Sequence, residues 1–147
     1  MNKEKIAGII LLALIAVIVA YYLIHGVTIK ETIYKVKEDF EKEQTGNCMN
    51  YLSDKFFVGH KYTREQLNNR AQELFAQVEG IEVQISNLEI KEENETGWAK
   101  TSVKIFAAFN KQKIVILGHP LKPLEGELFF EKEDGKWKIV KSTKFPI

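Results

Sequence analysis

From Ile6 to Ile24 the chain runs 19 residues without a charge, from Ile29 to Val78 apolar residues recur every three or four positions, and from Ile81 onward they alternate. The three periods predict an apolar rod, then helices, then a sheet. In the helical part, Ile29, Ile33, Val36 and Phe40 share one face of a first helix from about Thr28 to Gln44, read as continuing from the rod. Thr45, Gly46 and Asn47 break it. Cys48, Met49, Leu52 and Phe56 mark a short second helix ending near Asp54, and Phe56, Phe57 and Val58 a brief strand before Gly59. Thr63 and Gln66 have the spacing of a capping box, opening a third helix with the stripe Leu67, Ala71, Leu74, Phe75 and Val78; Gly80 supplies its stop.

In the alternating part, Ile81, Val83 and Ile85 face one way, and the phase then shifts to Leu88 and Ile90, which predicts a bulge near Asn87. After a polar turn at Glu92–Gly97, the residues Ala99, Thr101, Val103, Ile105, Ala107 and Phe109 form the inward face of a long strand. Ile114–Leu117 is another strand, Gly118–Pro123 interrupts it with two prolines, and Leu124–Glu133 resumes it. Asp134-Gly135 is a hairpin signal leading into Trp137–Phe145. The fold class is α+β.

The rod decides location. Nineteen helical residues reach about 28 Å, close to the hydrocarbon thickness of a bilayer. Twelve of them are Ile, Leu or Val, which favours insertion by about 4–7 kcal/mol. Tyr21 and Tyr22 then resemble an interfacial belt. A cleavable leader fits poorly, since a cut after Ala20 would leave Ile18 at the position that wants a small residue. The expected organisation is an uncleaved transmembrane anchor over 1–27, with residues 6–24 in the cell membrane, and a domain over 28–147 on the extracytoplasmic side. Lysines on both flanks leave the charge rule nearly silent on orientation. A short basic N-terminus before one span and a long C-terminal domain favours the outside.

Composition narrows the rest. Residues 28–147 carry 19 Lys and Arg (the chain's 21 less Lys3 and Lys5) against 19 Asp and Glu (its 20 less Glu4). A neutral domain offers no basic patch for nucleic acid. Cys48 is the one cysteine, so no intrachain disulfide forms; with no Cys/His cluster, neither metal nor cofactor is expected. Cys48 reads as a buried apolar side chain. Asn94-Glu95-Thr96 matches a glycosylation sequon, a triplet common by chance.

An amphipathic helix, the short segment "YLSDKFF", the capped helix "YTREQLNNRAQELFAQVEG" and a long sheet ending in "EKEDGKWKIV" resemble the nuclear transport factor 2-like superfamily, which includes the SnoaL-like and ketosteroid isomerase-like cones. The resemblance covers Thr28–Ile147. It implies a strongly curved, mostly antiparallel sheet wrapped around three helices, enclosing either a ligand pocket or a filled core. Enzymes of the superfamily place Asp, His, Tyr or Arg in an apolar pocket, where burial tunes them as acids or bases.

Here only Thr101 is polar among the inward positions of the long strand, so that wall supplies no base. His60, after Gly59, and His119, before Pro120, could meet at the open end of the cone near Tyr62, Asp54 or Tyr51 as an acid-base group, against the plainer reading of solvated loop residues. Arg70 falls between Leu67 and Leu74, with its stem along the helix edge or its charge in the cone. Trp98, Phe106, Phe129 and Phe130 alternate with the inward set; Trp98 and Phe106 with one of the two phenylalanines would leave an apolar outer patch. The resemblance implies pairing through such sheet faces. A homodimer or an envelope protein is thus the expected partner, unless the amino-terminal helix covers the patch. Trp137 reads as a core plug against the third helix.

The leading expectation is a single-pass membrane protein whose cone domain binds a protein or a small apolar ligand without catalysis, as an envelope assembly factor would. The alternative is an isomerase, dehydratase or cyclase acting on a small hydrophobic substrate in the cone.

Overall fold

The computed structural model describes residues 2–58, 62–119 and 121–143, without the side chains of 21–25 and 57–58. Helix α1 (Lys3–His25) is apolar all round, and its described side chains from Ile6 to Val19 lie exposed. Among the described residues, no helix is long and apolar enough to cross a membrane. The part of α1 with described side chains ends at Ala20 and carries Lys3, Glu4 and Lys5 in its first turn. α1 does not run on into the domain. Gly26 takes a φ of +65°, a conformation that costs little without a Cβ, and extended Thr28 caps α2 (Ile29–Glu41) by accepting from the Glu31 N–H at 3.2 Å.

α3 (Thr45–Met49) begins on the very residues read as a breaker, and β1 (Leu52–Val58) begins where the second helix was expected to continue. The reason is tertiary: β1 pairs in parallel with the last strand, and that ladder outweighs the helical spacing of Leu52 and Phe56. β2 (Tyr62–Thr63) leads into α4 (Arg64–Gln77), where the capping box forms in full. α4 ends at Gln77, and Gly80, with a φ of +59°, belongs to the start of the following strand.

Among the described residues the sheet has seven strands, in the order β2-β1-β7-β6-β4-β3, with β5 on β4. β3 (Glu79–Glu92) and β4 (Thr96–Phe109) form the long hairpin, whose register shifts between Ser86 and Glu89, and Asn87 takes a φ of +53° at the expected bulge. β6 (Leu124–Glu133) covers 96–103 on the other edge of β4, and β5 (Gln112–Leu117) covers 105–109. β7 (Lys136–Thr143) follows the Asp134-Gly135 turn, whose two residues both have positive φ, as a two-residue hairpin requires. Among the described residues every pairing is antiparallel except β1 with β7. The result is an α+β domain with a curled sheet around α2, α3 and α4.

Among the described residues two apolar clusters pack inside it. One joins Ile29 and Ile33 of α2 to Ala99, Phe130, Trp137 and Ile139 of the sheet. The other is built on Val78, Ile81, Val83 and Ala107, with Phe40 and Phe75 meeting edge to face at 5.1 Å. Trp137 closes the core as expected, but its polar partner is Glu92, at the end of β3, and not a residue of the third helix. Its Nε1–H donates to Glu92 Oε1 at 3.1 Å, while Glu92 Oε2 accepts from the Ile29 N–H at 3.4 Å. One carboxylate thus ties the last strand to the open N–H groups of α2. Phe109, at the end of β4, is exposed, because that strand outruns the helices that cover its inner face.

Candidate functional site

α2, α4 and the inner face of the sheet bound a cavity of about 510 Å³. Its wall is chiefly hydrocarbon, with Val36 and Phe40 from α2, Ala71 and Leu74 from α4, and Val103 and Ile105 from β4. Trp137 is not among the described lining residues, so it plugs the core and leaves the cavity to others. The amphipathic stripes of the two helices position these side chains, since the face each helix buries is the face it turns to the sheet.

The polar residues on the wall are Lys37, Cys48, Arg70, Thr101 and Ser142; among the described lining residues none is Asp, Glu or His. Four of the five are accounted for. Lys37 Nζ lies 2.6 Å from Glu41, whose other oxygen accepts from the Val83 N–H at 3.1 Å. Arg70 stacks its guanidinium 4.4 Å from the centre of the Tyr62 ring. Thr101 Oγ1 donates to the Ser86 carbonyl at 2.9 Å. Burial, with the Asp39 charge adding to it, pushes the Cys48 thiol up to about 11 and makes it a poor nucleophile. Ser142, at 1% exposure, has an Oγ without a hydrogen-bond partner.

Chemically the wall can desolvate an apolar body and grip it at few points. General acid-base catalysis needs a proton carrier within hydrogen-bond reach of the reacting atom. Lys37 is paired with Glu41, and Arg70 is stacked on Tyr62.

The acid-base candidates are not brought together. His119 is exposed at the β5–β6 connection, bridged to Lys122, and its Nδ1 accepts from the Leu121 N–H at 3.2 Å. His60 lies outside the described residues. Asp54 is 98% exposed and meets Arg64 at 3.4 Å. Tyr51 donates to Asp39 at 2.9 Å; burial, then the Asp39 bond, pushes its phenol up to about 12. Arg70 reconciles its two readings: it is exposed and stacked on half-buried Tyr62, yet its side chain borders the cavity.

On the outer face, Trp98 and Phe129 are direct cross-strand partners and, with Val140, line a groove of about 320 Å³. Lysines crown the rings: Lys91 at 5.9 Å from Trp98 and Lys141 at 5.5 Å from Phe129. Phe106 stands eight residues along β4 under Lys113 at 4.6 Å and belongs to a separate spot. Phe130 is the phenylalanine that turns inward, 1% exposed in the core. α2 packs inside, on β3, and does not cover the outer groove.

Sequence reasoning missed Ser142. Alternation from Trp137 and Ile139 points Lys141 inward, but the β6–β7 register shifts between Phe129 and Phe130, so Val140 and Lys141 both face outward and Ser142 takes the inner position. The signal was Lys141 itself, a charge that an apolar wall could not hold unpaired.

Three comparisons place this geometry among known proteins. A putative scytalone dehydratase from Novosphingobium aromaticivorans is similar at a TM-score of 0.65 with 13% identity, over 88% of this chain and 93% of that one. An NTF2-like protein from Cytophaga hutchinsonii is similar at 0.64 with 14% identity, over 81% and 95%. Bd1075 of Bdellovibrio bacteriovorus is similar at 0.63 with 14% identity, and here 78% of this chain spans 38% of the other. At such identities the likeness concerns the fold alone. No curated protein matches the chain. The SnoaL-like domain family matches residues 29–144, the curled sheet with its three helices, and the chain therefore belongs to that family.

Proposed function

We propose that the domain binds a small apolar ligand in its inner cavity, without catalysing a reaction on it, and that α1 holds it at the membrane. The carrying observation is the wall: about 510 Å³ bounded by hydrocarbon, with each described charged group on it already engaged. Pockets of roughly 300–1,000 Å³ with few polar groups are the usual form of a small-molecule site. The names of some similar structures speak of a dehydratase or a hydroxylase, and an isomerase, dehydratase or cyclase is the competing reading. It lacks an acid-base pair among the described lining residues.

The test is displacement of an environment-sensitive apolar dye from the full chain, comparing wild type with Ala71→Phe, which fills the cavity from α4. Binding should weaken at least about 10-fold in the variant, while the melting temperature holds or rises. Equal binding by the two proteins overturns the reading.

Membrane attachment is supported by the uncharged run 6–24 and by a helix whose described apolar side chains surround it and pack on nothing. A helix hydrophobic on every side needs a nonpolar surrounding. The placement of the domain outside the cytoplasm rests on its length, since a long domain after one span translocates largely regardless of flanking charge. Carbonate-resistant association with vesicles is expected, and release by carbonate would refute it.

A second reading, an interface with an envelope protein or a second copy, rests on the outer groove at Trp98 and Phe129. A photoreactive residue at Trp98 should yield a specific adduct in native membranes; its absence counts against the interface.

A further inference from the structure

Within the cavity reading, which this inference presupposes, we propose that Ser142 is the polar anchor of the site and that the ligand is a neutral, largely hydrocarbon molecule carrying one hydroxyl or carbonyl oxygen. A buried hydroxyl is almost always satisfied, because leaving it unpaired forfeits its full hydration. Ser142 is on the cavity wall, and its Oγ is buried and meets no partner among the described residues, so a turn about χ1 toward the cavity costs it no hydrogen bond. The other buried serine on the neighbouring strand behaves as expected, with Ser53 Oγ donating to Glu133 Oε1 at 2.6 Å. The isolation of Ser142 is therefore a property of its position. It sits between β1 and β6, in register with Val58 and Leu128, where no described atom pairs with its Oγ.

The ligand's charge follows from the same wall. No described lining residue is anionic, so nothing there selects a cation. The two cations are occupied, Lys37 by Glu41 and Arg70 by the Tyr62 ring. A hydroxyl such as Ser142 can donate one hydrogen bond to an oxygen and accept one from it, a pairing suited to an alcohol or ketone.

Cys48 provides the readout in the native chain, since it is the one cysteine and lines the same cavity. The full chain in lipid nanodiscs is treated with a small alkylating reagent in the presence of bicyclohexyl, cyclohexylcyclohexanol or cyclohexylcyclohexanecarboxylic acid. Protection of Cys48 gives the affinity of each probe. In wild type the alcohol should protect about 3- to 10-fold more tightly, relative to the hydrocarbon, than it does in Ser142→Ala. Taking the ratio across the two proteins cancels each probe's partition into lipid. Ser142→Ala should also leave the ligand-free melting temperature unchanged or higher, since it deletes a group with nothing to lose.

If the hydrocarbon and the alcohol both protect and the ratio is the same in the two proteins, the anchor is wrong and the cavity reading stands. If no probe protects, both fall. A preference for the acid that survives Ser142→Ala and vanishes in Arg70→Gln moves the anchor to Arg70 and overturns the proposal. A lower melting temperature in Ser142→Ala reveals an internal partner and overturns it as well.

Discussion

Burial of a few polar side chains decides much of what this protein can do. Cys48 illustrates the point: with its thiol pushed up from 9.0 to about 11 by burial, the thiolate fraction at about pH 8 falls roughly 100-fold, and alkylation should be about 100-fold slower than for free cysteine. A rate near that of free cysteine would show the thiol to be open to water. Cys48 and Tyr51 both hold their protons more tightly folded than unfolded. Stability should therefore be intact below about pH 9 and fall from there to about pH 12 as the unfolded chain ionises first. Urea midpoints across that range would record the fall, and Tyr51→Phe should flatten its upper part. Glu92 acts through two bonds. Replacing it with Ala strands the Trp137 N–H and opens the first turn of α2, at a cost of about 1–3 kcal/mol, while Gln keeps most of the stability.

At the scale of elements, local chemistry and tertiary demand agree in some places and collide in others. The α4 capping box was legible because its atoms are three residues apart in sequence, and Thr63→Ala should cost about 1 kcal/mol by chemical denaturation. The Asn87 bulge and the Asp134-Gly135 turn were legible for the same reason: positive φ selects residue types. Only the end of β1, Phe56–Val58, was legible as strand; its start was not, because Leu52 and Phe56 keep helical spacing and Leu52 pairs with β7, more than eighty residues away. Gly97 shows the same dependence. A Cβ there would collide with the end of fully buried Ile29, so Gly97→Ala should cost about 1–3 kcal/mol, seen as a lowered melting temperature. Nothing local to Gly97 announces that contact.

For the whole molecule, the curled sheet divides its interior into packed clusters and a cavity, and the two should answer differently to truncation. Phe130→Ala removes a side chain surrounded on all sides and should cost about 3–5 kcal/mol. Ile105→Ala faces the cavity, forfeits fewer contacts, and should cost less than about 2 kcal/mol. Equal costs in urea titrations would mean the cavity is closed in solution.

The sequence alone determined the order of the long elements, the uncharged N-terminal run, the family fold and the near absence of polar groups along the inner face of β4, all of which follow from periodicity and side-chain type. Only the tertiary structure decided that the interior keeps a cavity, that Phe130 and not Phe129 turns inward, and that Ser142 stands alone on the wall. Those outcomes depend on register shifts and on contacts between residues far apart in the chain, where one displaced residue exchanges the faces of everything after it.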